Sequence, residues 1–204
     1  MKIGIIGSGN IGATLAIKWK QKGHEVTIGV QKIDDFKNKD LLQKSGVKIA
    51  LISQLPATSE ILLNATPAHV AIEVIHTLDN DLTGKVLIDA SNAVQVKPTP
   101  YPTALHAFVD MTNAEVVKCF NSTGFGNLEN PIIANQALDM FMAGNSEKGK
   151  MIAEQLALDL GFENCYDFGG IDKVTLLEQF ALSWINLAMF QGLGRDFGFK
   201  IVKK

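Results

Sequence analysis

At 204 residues, with 47% hydrophobic and 20% charged side chains, the chain has the composition of one well-buried globular domain with little to spare for a second. Its formal net charge of -2, without any basic stripe, argues against nucleic acid and anionic membrane surfaces as partners and leaves a small-molecule protein. Cys119 and Cys165 lie far apart in sequence without Cys-x-x-Cys or Cys/His spacing, so no metal site or disulfide framework is indicated, and reduced thiols in a cytoplasm are expected.

In chain order, "KIGIIG" reads as a first strand. One Lys before the apolar run, the break at Gly7, Gly9 and Asn10, and the lack of a small-residue cleavage site set it apart from a signal peptide. A helix follows from about Asn10 to Lys22 and stops at Gly23, where a left-handed cap is natural. "EVTIGV" is a second strand. The lysine-rich stretch from Asp34 to Val47 carries a short helical "DLLQKS", and "VKIALIS" a third strand. Then come "EILLNATP" as strand, "HVAIEVIHTL" as helix and "KVLIDASNAV" as strand. "QVKPTPYPTALHAFVDMT" starts as a loop broken by Pro98, Pro100 and Pro102 and becomes a helix. "AEVVKCFN" is a sixth strand, "STGFGNLENPIIANQA" a loop, and "LDMFMAGN", "SEKGKMIAEQLALDLGF" and "NCYDFGG" a strand, helix and strand. From Ile171 one long helix leads into the tail "GLGRDFGFKIVKK". No apolar run reaches the roughly 20 residues of a membrane helix.

Short Ile/Val-rich runs alternating with amphipathic segments predict a three-layer, doubly wound α/β Rossmann fold with a mostly parallel sheet and a C-terminal helical extension. Residues 1–204 are expected to form one dinucleotide-binding domain, with 171–204 packing on it or on a second subunit. Leu176, Leu177, Phe180, Trp184, Leu187 and Met189 are more apolar positions than one helix face needs, which predicts a homodimer.

Gly7, Gly9 and Gly12 form G-x-G-x-x-G between a predicted strand and a predicted helix, the context in which the pattern binds a dinucleotide. Gly7 permits the tight turn, Gly9 admits the pyrophosphate and Gly12 lets the helix pack closely, while Ser8, Asn10 and Ile11 present N–H groups at the helix start. The second strand normally ends in an acid when the cofactor is NAD, because a carboxylate holds both ribose hydroxyls and repels a 2′-phosphate. Val30-Gln31-Lys32 stands there instead, and Lys32, helped by Lys37, can offer positive charge, so NADP(H) is favoured over NAD(H).

Ligands in such sheets sit beyond the carboxyl ends of the strands. Those ends carry Thr66-Pro67, Ser91-Asn92 and Asn121-Ser122-Thr123, small or amide-bearing groups suited to a nicotinamide carboxamide or a ribose. Among the histidines only His69, at the start of the helix after Pro67, is placed to look into the cleft as a proton donor. Carbonyl reduction needs such a donor, whereas hydride transfer between two rings can proceed by positioning alone. The residues lean toward the second.

With these residues in view, the whole chain resembles the family of NADP-linked oxidoreductases that use the deazaflavin coenzyme F-420. The likeness rests on "IGIIGSGNIG", "VTIGVQK" and "KCFNSTG", and most specifically on "LLEQFALSWINLAMFQGLGRDFGFK", with Glu178, Asn186, Phe190, Gly192 and Gly194 on matching positions. It implies that Gly7 to Gly12 hold the pyrophosphate, Val30 to Lys32 meet the adenosine phosphate, and Thr66-Pro67 border the nicotinamide. Asn121 and the terminal helix would border the second coenzyme or substrate. Gln31 departs from the family's phosphate-gripping Arg, and Asn121 from a His that deazaflavin-using members can carry. Pyrroline-5-carboxylate reductases and hydroxyacid dehydrogenases share the glycine turn but add a helical substrate domain of about a hundred residues, for which this chain has no room.

The expected activity is hydride transfer between NADP(H) and a deazaflavin, flavin or similar redox acceptor. A small carbonyl or imine reductase and a non-catalytic dinucleotide sensor are the alternatives.

Overall fold

The computed structural model describes residues 1–78, 81–94 and 96–204; Gln95, first residue of the proline-broken loop, lies outside the described residues. The six apolar runs of the first half become β1 (Lys2–Ile6), β2 (Glu25–Val30), β3 (Lys48–Leu51), β4 (Ile61–Asn64), β5 (Val86–Asp89) and β6 (Glu115–Cys119). They lie side by side, all parallel, in the order β3-β2-β1-β4-β5-β6. The order reverses between β1 and β4, which opens a crevice above their carboxyl ends. A short antiparallel hairpin, β7 (Ile132–Ile133) with β8 (Gln136–Ala137), stands apart from the sheet. β9 (Met140–Ala143) joins the far edge antiparallel to β6, and β10 (Cys165–Asp167) adds to β9 in parallel.

The helices are α1 (Asn10–Gln21), α2 (Lys39–Ser45), α3 (Leu55–Thr58), α4 (Ala71–Leu78), α5 (Ala104–Met111), α6 (Phe125–Glu129), α7 (Glu147–Leu160) and α8 (Val174–Ile185). Because successive strand residues point to opposite faces, each strand feeds two cores. Ile3, Ile5, Leu63 and Ile88 face α1, α2 and α7, where Leu15, Trp19, Leu42 and Leu156 are buried. Ile6, Leu62, Leu87 and Val116 face α3, α4, α5 and α8, where Leu55, Ile75, Phe108 and Leu177 are buried. This is the three-layer, doubly wound arrangement that the sequence predicts.

Several predicted boundaries move, the fourth strand ending at Asn64 and the terminal helix starting at Val174 among them. The third strand ends at Leu51, after which Ile52–Gln54 turn and Pro56 opens α3, a first-turn position where its missing N–H costs nothing. The fifth strand stops at Asp89 instead of running to Val94. The predicted loop after β6 contains α6 and the β7–β8 hairpin, whose turn places Ala134 and Asn135 at positive φ. α8 ends at Ile185 in a π-helical turn, Asn186–Phe190, and the tail folds back: the Phe197 carbonyl accepts from Trp184 Nε1 (2.9 Å) and Asn127 Nδ2 (2.7 Å).

Of the terminal helix's apolar positions, Leu177 and Trp184 are buried, while Leu176, Leu187 and Met189 remain exposed. Cys119 and Cys165, remote in sequence, bring their Sγ atoms to 3.9 Å as free buried thiols. Burial pushes the Cys119 thiol well above the ordinary cysteine range, which keeps it protonated. Among the described residues no helix is long and apolar enough to cross a membrane, and no group of His, Cys, Asp and Glu could hold a metal ion.

Candidate active site

The glycine turn closes the crevice floor. Gly7 sits at φ +100, a left-handed value, and its N–H bonds to the Gly29 carbonyl at 3.0 Å, tying the turn to β2. A Cβ on Gly12 would lie 2.0 Å from the Gly7 carbonyl oxygen, so α1 crosses β1 at a distance only glycine allows. Above Gly9 the space is open, with nothing within 4 Å of where a Cβ would be. Ser8, Asn10 and Ile11 surround the start of α1, and Asn38 Nδ2 from the β2–α2 loop donates to the Ser8 carbonyl at 2.9 Å. Clearance over Gly9 beside a helix N-terminus is what a pyrophosphate needs.

Next to the turn lies a cleft of about 220 Å³ lined by Gly7, Ser8, Val30, Gln31, Lys37 and Thr66, with Phe36, Ile52, Val70 and Val74 as apolar walls. It has the size and flat apolar flanks for an adenosine. Lys37 faces it, whereas Lys32 is exposed beyond its lining. Glu73 of α4 also lines it, and Gln31 Nε2 donates to Glu73 Oε1 at 3.4 Å. The acid missing from the end of β2 is thus returned in space by another element, together with Asp35. A carboxylate here opposes a 2′-phosphate, and Lys37 favours it. Glu73→Gln is expected to tighten NADP(H) roughly fivefold and Lys37→Ala to weaken it by a similar factor. Titration against both dinucleotides checks this; changes of equal size for NAD(H) would remove the phosphate from the explanation.

At the other end of the crevice, strand register builds a row that the strand-end residues conceal. Asn64 of β4 pairs with Asp89 of β5, and Asp89 with Lys118 of β6, at the last step of the β4–β5–β6 ladder. By the alternation of side chains all three face the α4, α5 and α8 layer, and all three are fully buried. Asn64 Nδ2 donates to Asp89 Oδ1 (3.0 Å), and Lys118 Nζ donates to Asp89 Oδ2 (2.8 Å). Lys118 Nζ also donates to Glu178 Oε1 from α8, whose Oε2 accepts from the Ala93 N–H at 2.9 Å. Burial by itself would pull the Lys118 amine down, but Asp89 and Glu178 outweigh it and hold the ammonium above the ordinary lysine range. His106 of α5 stands near this trio, its Nδ1 2.8 Å from Thr103 Oγ1; burial draws its imidazole below the usual range, Glu178 opposing and Lys118 reinforcing.

The row fixes the groups beyond the strands. Thr66 Oγ1 donates to Asn64 Oδ1 (2.6 Å), and the Ser91 N–H to Asp89 Oδ1 (3.1 Å). Asn92 and Asn121 clasp each other, Asn92 Nδ2 on the Asn121 carbonyl (2.8 Å) and Asn121 Nδ2 on Asn92 Oδ1 (3.0 Å). Two buried side-chain oxygens lack a partner among the described residues, Ser91 Oγ and Asn121 Oδ1. Buried polar atoms are normally satisfied, so a donor and an acceptor are wanted here. A carboxamide supplies both. Pro67 and His69 are exposed at the start of the turn into α4, and His69 is not among the residues lining the adenosine-sized cleft.

Most of the predicted residues therefore fall into two groups at the carboxyl ends of the strands, the glycine turn with Val30 and Gln31, and Thr66, Ser91, Asn92 and Asn121, while Lys32, Pro67 and His69 are exposed outside the cleft lining. Asn64, Asp89, Lys118 and Glu73 escaped a reading of strand ends. For the first three the signal was a polar residue at or next to the end of an apolar strand, as in "ILLN", "VLID" and "VVKC"; Glu73, on α4, left no such mark.

Residues 2–93 match the family described as NADP oxidoreductase, coenzyme F420-dependent. The chain is 23% identical over 201 residues to the F420-dependent NADP reductase of Methanocaldococcus jannaschii, covering 87% of this chain and 88% of that protein. The crystal structure of a protein of Arthrobacter sp. FB24, provisionally named an F420-dependent NADP-reductase, superposes with a TM-score of 0.84 at 25% identity and full coverage of both chains. A reductive aminase from Aspergillus terreus, in complex with NADPH4, cyclohexanone and allyl amine, shares the fold with a TM-score of 0.68 at 19% identity. That likeness covers 94% of this chain and 62% of the aminase.

Proposed function

We propose that this chain, which belongs through residues 2–93 to the NADP oxidoreductase, coenzyme F420-dependent family, is an NADP-dependent oxidoreductase that passes a hydride between NADP(H) and a deazaflavin or flavin-type ring. The observation that carries the reading is the glycine turn, with Gly12 packed against Gly7 and open space over Gly9, beside a cleft lined by Gly7, Ser8, Val30, Gln31 and Thr66. A bound NADPH would supply a hydride, two electrons with one proton, to the acceptor ring, and water would supply the second proton that completes its reduction. The chain's own part is to hold and exclude. Gly7 to Gly12 would seat the phosphates, Thr66-Pro67 would border the ring, and Ser91 and Asn121, whose side-chain oxygens lack a partner among the described residues, would hold its carboxamide. Trp184 fixes the approach of α8 to the β6 end, where a Cβ on Gly124 would meet its ring at 2.6 Å.

Residues 1–204 then act as one domain in the cytoplasm, with 171–204 packing on it. The exposed Leu176, Leu187, Met189 and Phe190 support a homodimer. Light scattering of the purified chain tests the dimer mass, and stopped-flow absorbance of NADPH mixed with deazaflavin, flavin or carbonyl acceptors tests the reaction. Oxidation with the ring acceptors, slowed at least tenfold in Asn121→Ala by loss of ring positioning, is expected. NADPH binding with no oxidation by any acceptor would assign the chain to sensing instead. Turnover of carbonyl or imine acceptors alone, abolished in His69→Ala, would assign it to their reduction.

A further inference from the structure

The buried trio beneath the strand ends is unbalanced. One ammonium, Lys118, serves two carboxylates, Asp89 and Glu178, and Lys118 and Asp89 are both completely enclosed. Among the described residues, the one side chain bonded to the other Asp89 oxygen is the neutral Asn64 amide, and the second Glu178 oxygen takes the neutral Ala93 N–H. Neither contact supplies positive charge. His106, a titratable group beside the trio, is drawn toward its neutral form, chiefly by burial and against Glu178. One negative charge in excess therefore sits in low dielectric, and Asp89 Oδ1 lies a single hydrogen bond (3.1 Å) from the Ser91 backbone, whose side chain is one of the two orphans.

We infer that Asp89 and Glu178 are positioning residues whose excess negative charge favours the oxidised, positively charged nicotinamide over the reduced, neutral one. The inference rests on the nicotinamide site proposed above. A charge does not discriminate between two ligands that bind equally well unless they differ in charge near it, and the two redox forms differ by one unit at the ring. The trio makes NADPH a stronger hydride donor when bound. It also anchors α8, which closes that end of the crevice, so the helix and the redox bias are set by the same carboxylate.

Glu178→Gln is the variant of choice, since it leaves that balanced pair and retains an oxygen for the Ala93 N–H. Separate titrations of NADP⁺ and NADPH give the ratio of their dissociation constants. The ratio Kd(NADP⁺)/Kd(NADPH) is expected to rise about tenfold in the variant, as the loss of one buried unit charge near the ring requires. Asp89→Asn is a second variant with the same expected direction, and thermal melts report whether each is folded. The unaltered protein supplies a reading of its own: it should bind NADP⁺ at least as tightly as NADPH. A ratio unmoved in a folded variant, or an unaltered protein that prefers NADPH tenfold or more, would overturn the inference. An unaltered protein that binds neither form overturns the proposed function itself.

Discussion

Gly12→Ala is expected to cost about 2–4 kcal/mol of stability and to weaken dinucleotide binding more than a hundredfold. The added Cβ would stand 2.0 Å from the Gly7 carbonyl oxygen and 3.3 Å from the Ala65 Cβ. The first of these is backbone and cannot swing away, so α1 must lift from β1. Leu15, Ala16 and Trp19 of α1 are fully buried, and Trp19 Nε1 is bonded to the Leu156 carbonyl of α7 at 3.1 Å, so lifting the helix disturbs the whole layer. The same movement carries away the N–H groups of Ser8, Asn10 and Ile11. Gly9→Ala is the informative partner. Nothing lies within 4 Å of its Cβ, and its backbone is extended, so its stability should change by less than about 1 kcal/mol. Its methyl group nevertheless fills the clearance assigned to the pyrophosphate, so binding should fall at least tenfold. Urea unfolding and NADP(H) titration of both variants separate packing from ligand clearance. A stable Gly9→Ala protein with unaltered affinity would move the phosphates off this turn.

Why the two ends of the crevice differed in legibility follows from how each is encoded. The glycine turn is local: three glycines within six residues fix its shape, so its place between β1 and α1 could be read directly. The adenosine end is partly local. Gln31 marked the loss of an acid from β2, but the replacement carboxylate, Glu73, comes from α4 and reaches Gln31 only once β4 lies beside β1. Sequence position says what a strand lacks and not what a neighbouring helix restores. At the end proposed for the nicotinamide, the strand-end residues Thr66, Asn92 and Asn121 were visible because they follow the apolar runs. The row beneath them was not, because Asn64, Asp89 and Lys118 each look like the polar margin of a strand. Only the register, which aligns all three on one face, turns three margins into a buried network. The β7–β8 hairpin was hidden for a simpler reason: strands of two residues carry no alternation to detect.

The same network carries the second large effect. Lys118→Met is expected to destabilise the protein by about 3–5 kcal/mol, because it leaves Asp89 and Glu178 buried without their shared counter-charge. The loss should not be uniform. Ala93 and α8 are joined through Glu178, and Ser91 is joined to β5 through Asp89, so hydrogen exchange should quicken first in α8 and in residues 91–93. Adding Glu178→Gln to Lys118→Met removes one of the two stranded charges and should recover a substantial part of the loss, whereas two independent sites would give additive costs. Alkaline pH provides a check on the native protein. The folded-state value of Lys118 is raised, so its contribution is complete below the unfolded value of about 10.4 and is lost as pH climbs through the higher folded value. Urea unfolding from about pH 8 to about pH 11 should therefore show a decline in the native protein that is smaller in Lys118→Met. Equal alkaline declines in the two proteins would mean that Lys118 is not the cation holding these acids, and with that the charge excess assigned to the nicotinamide end would lose its basis.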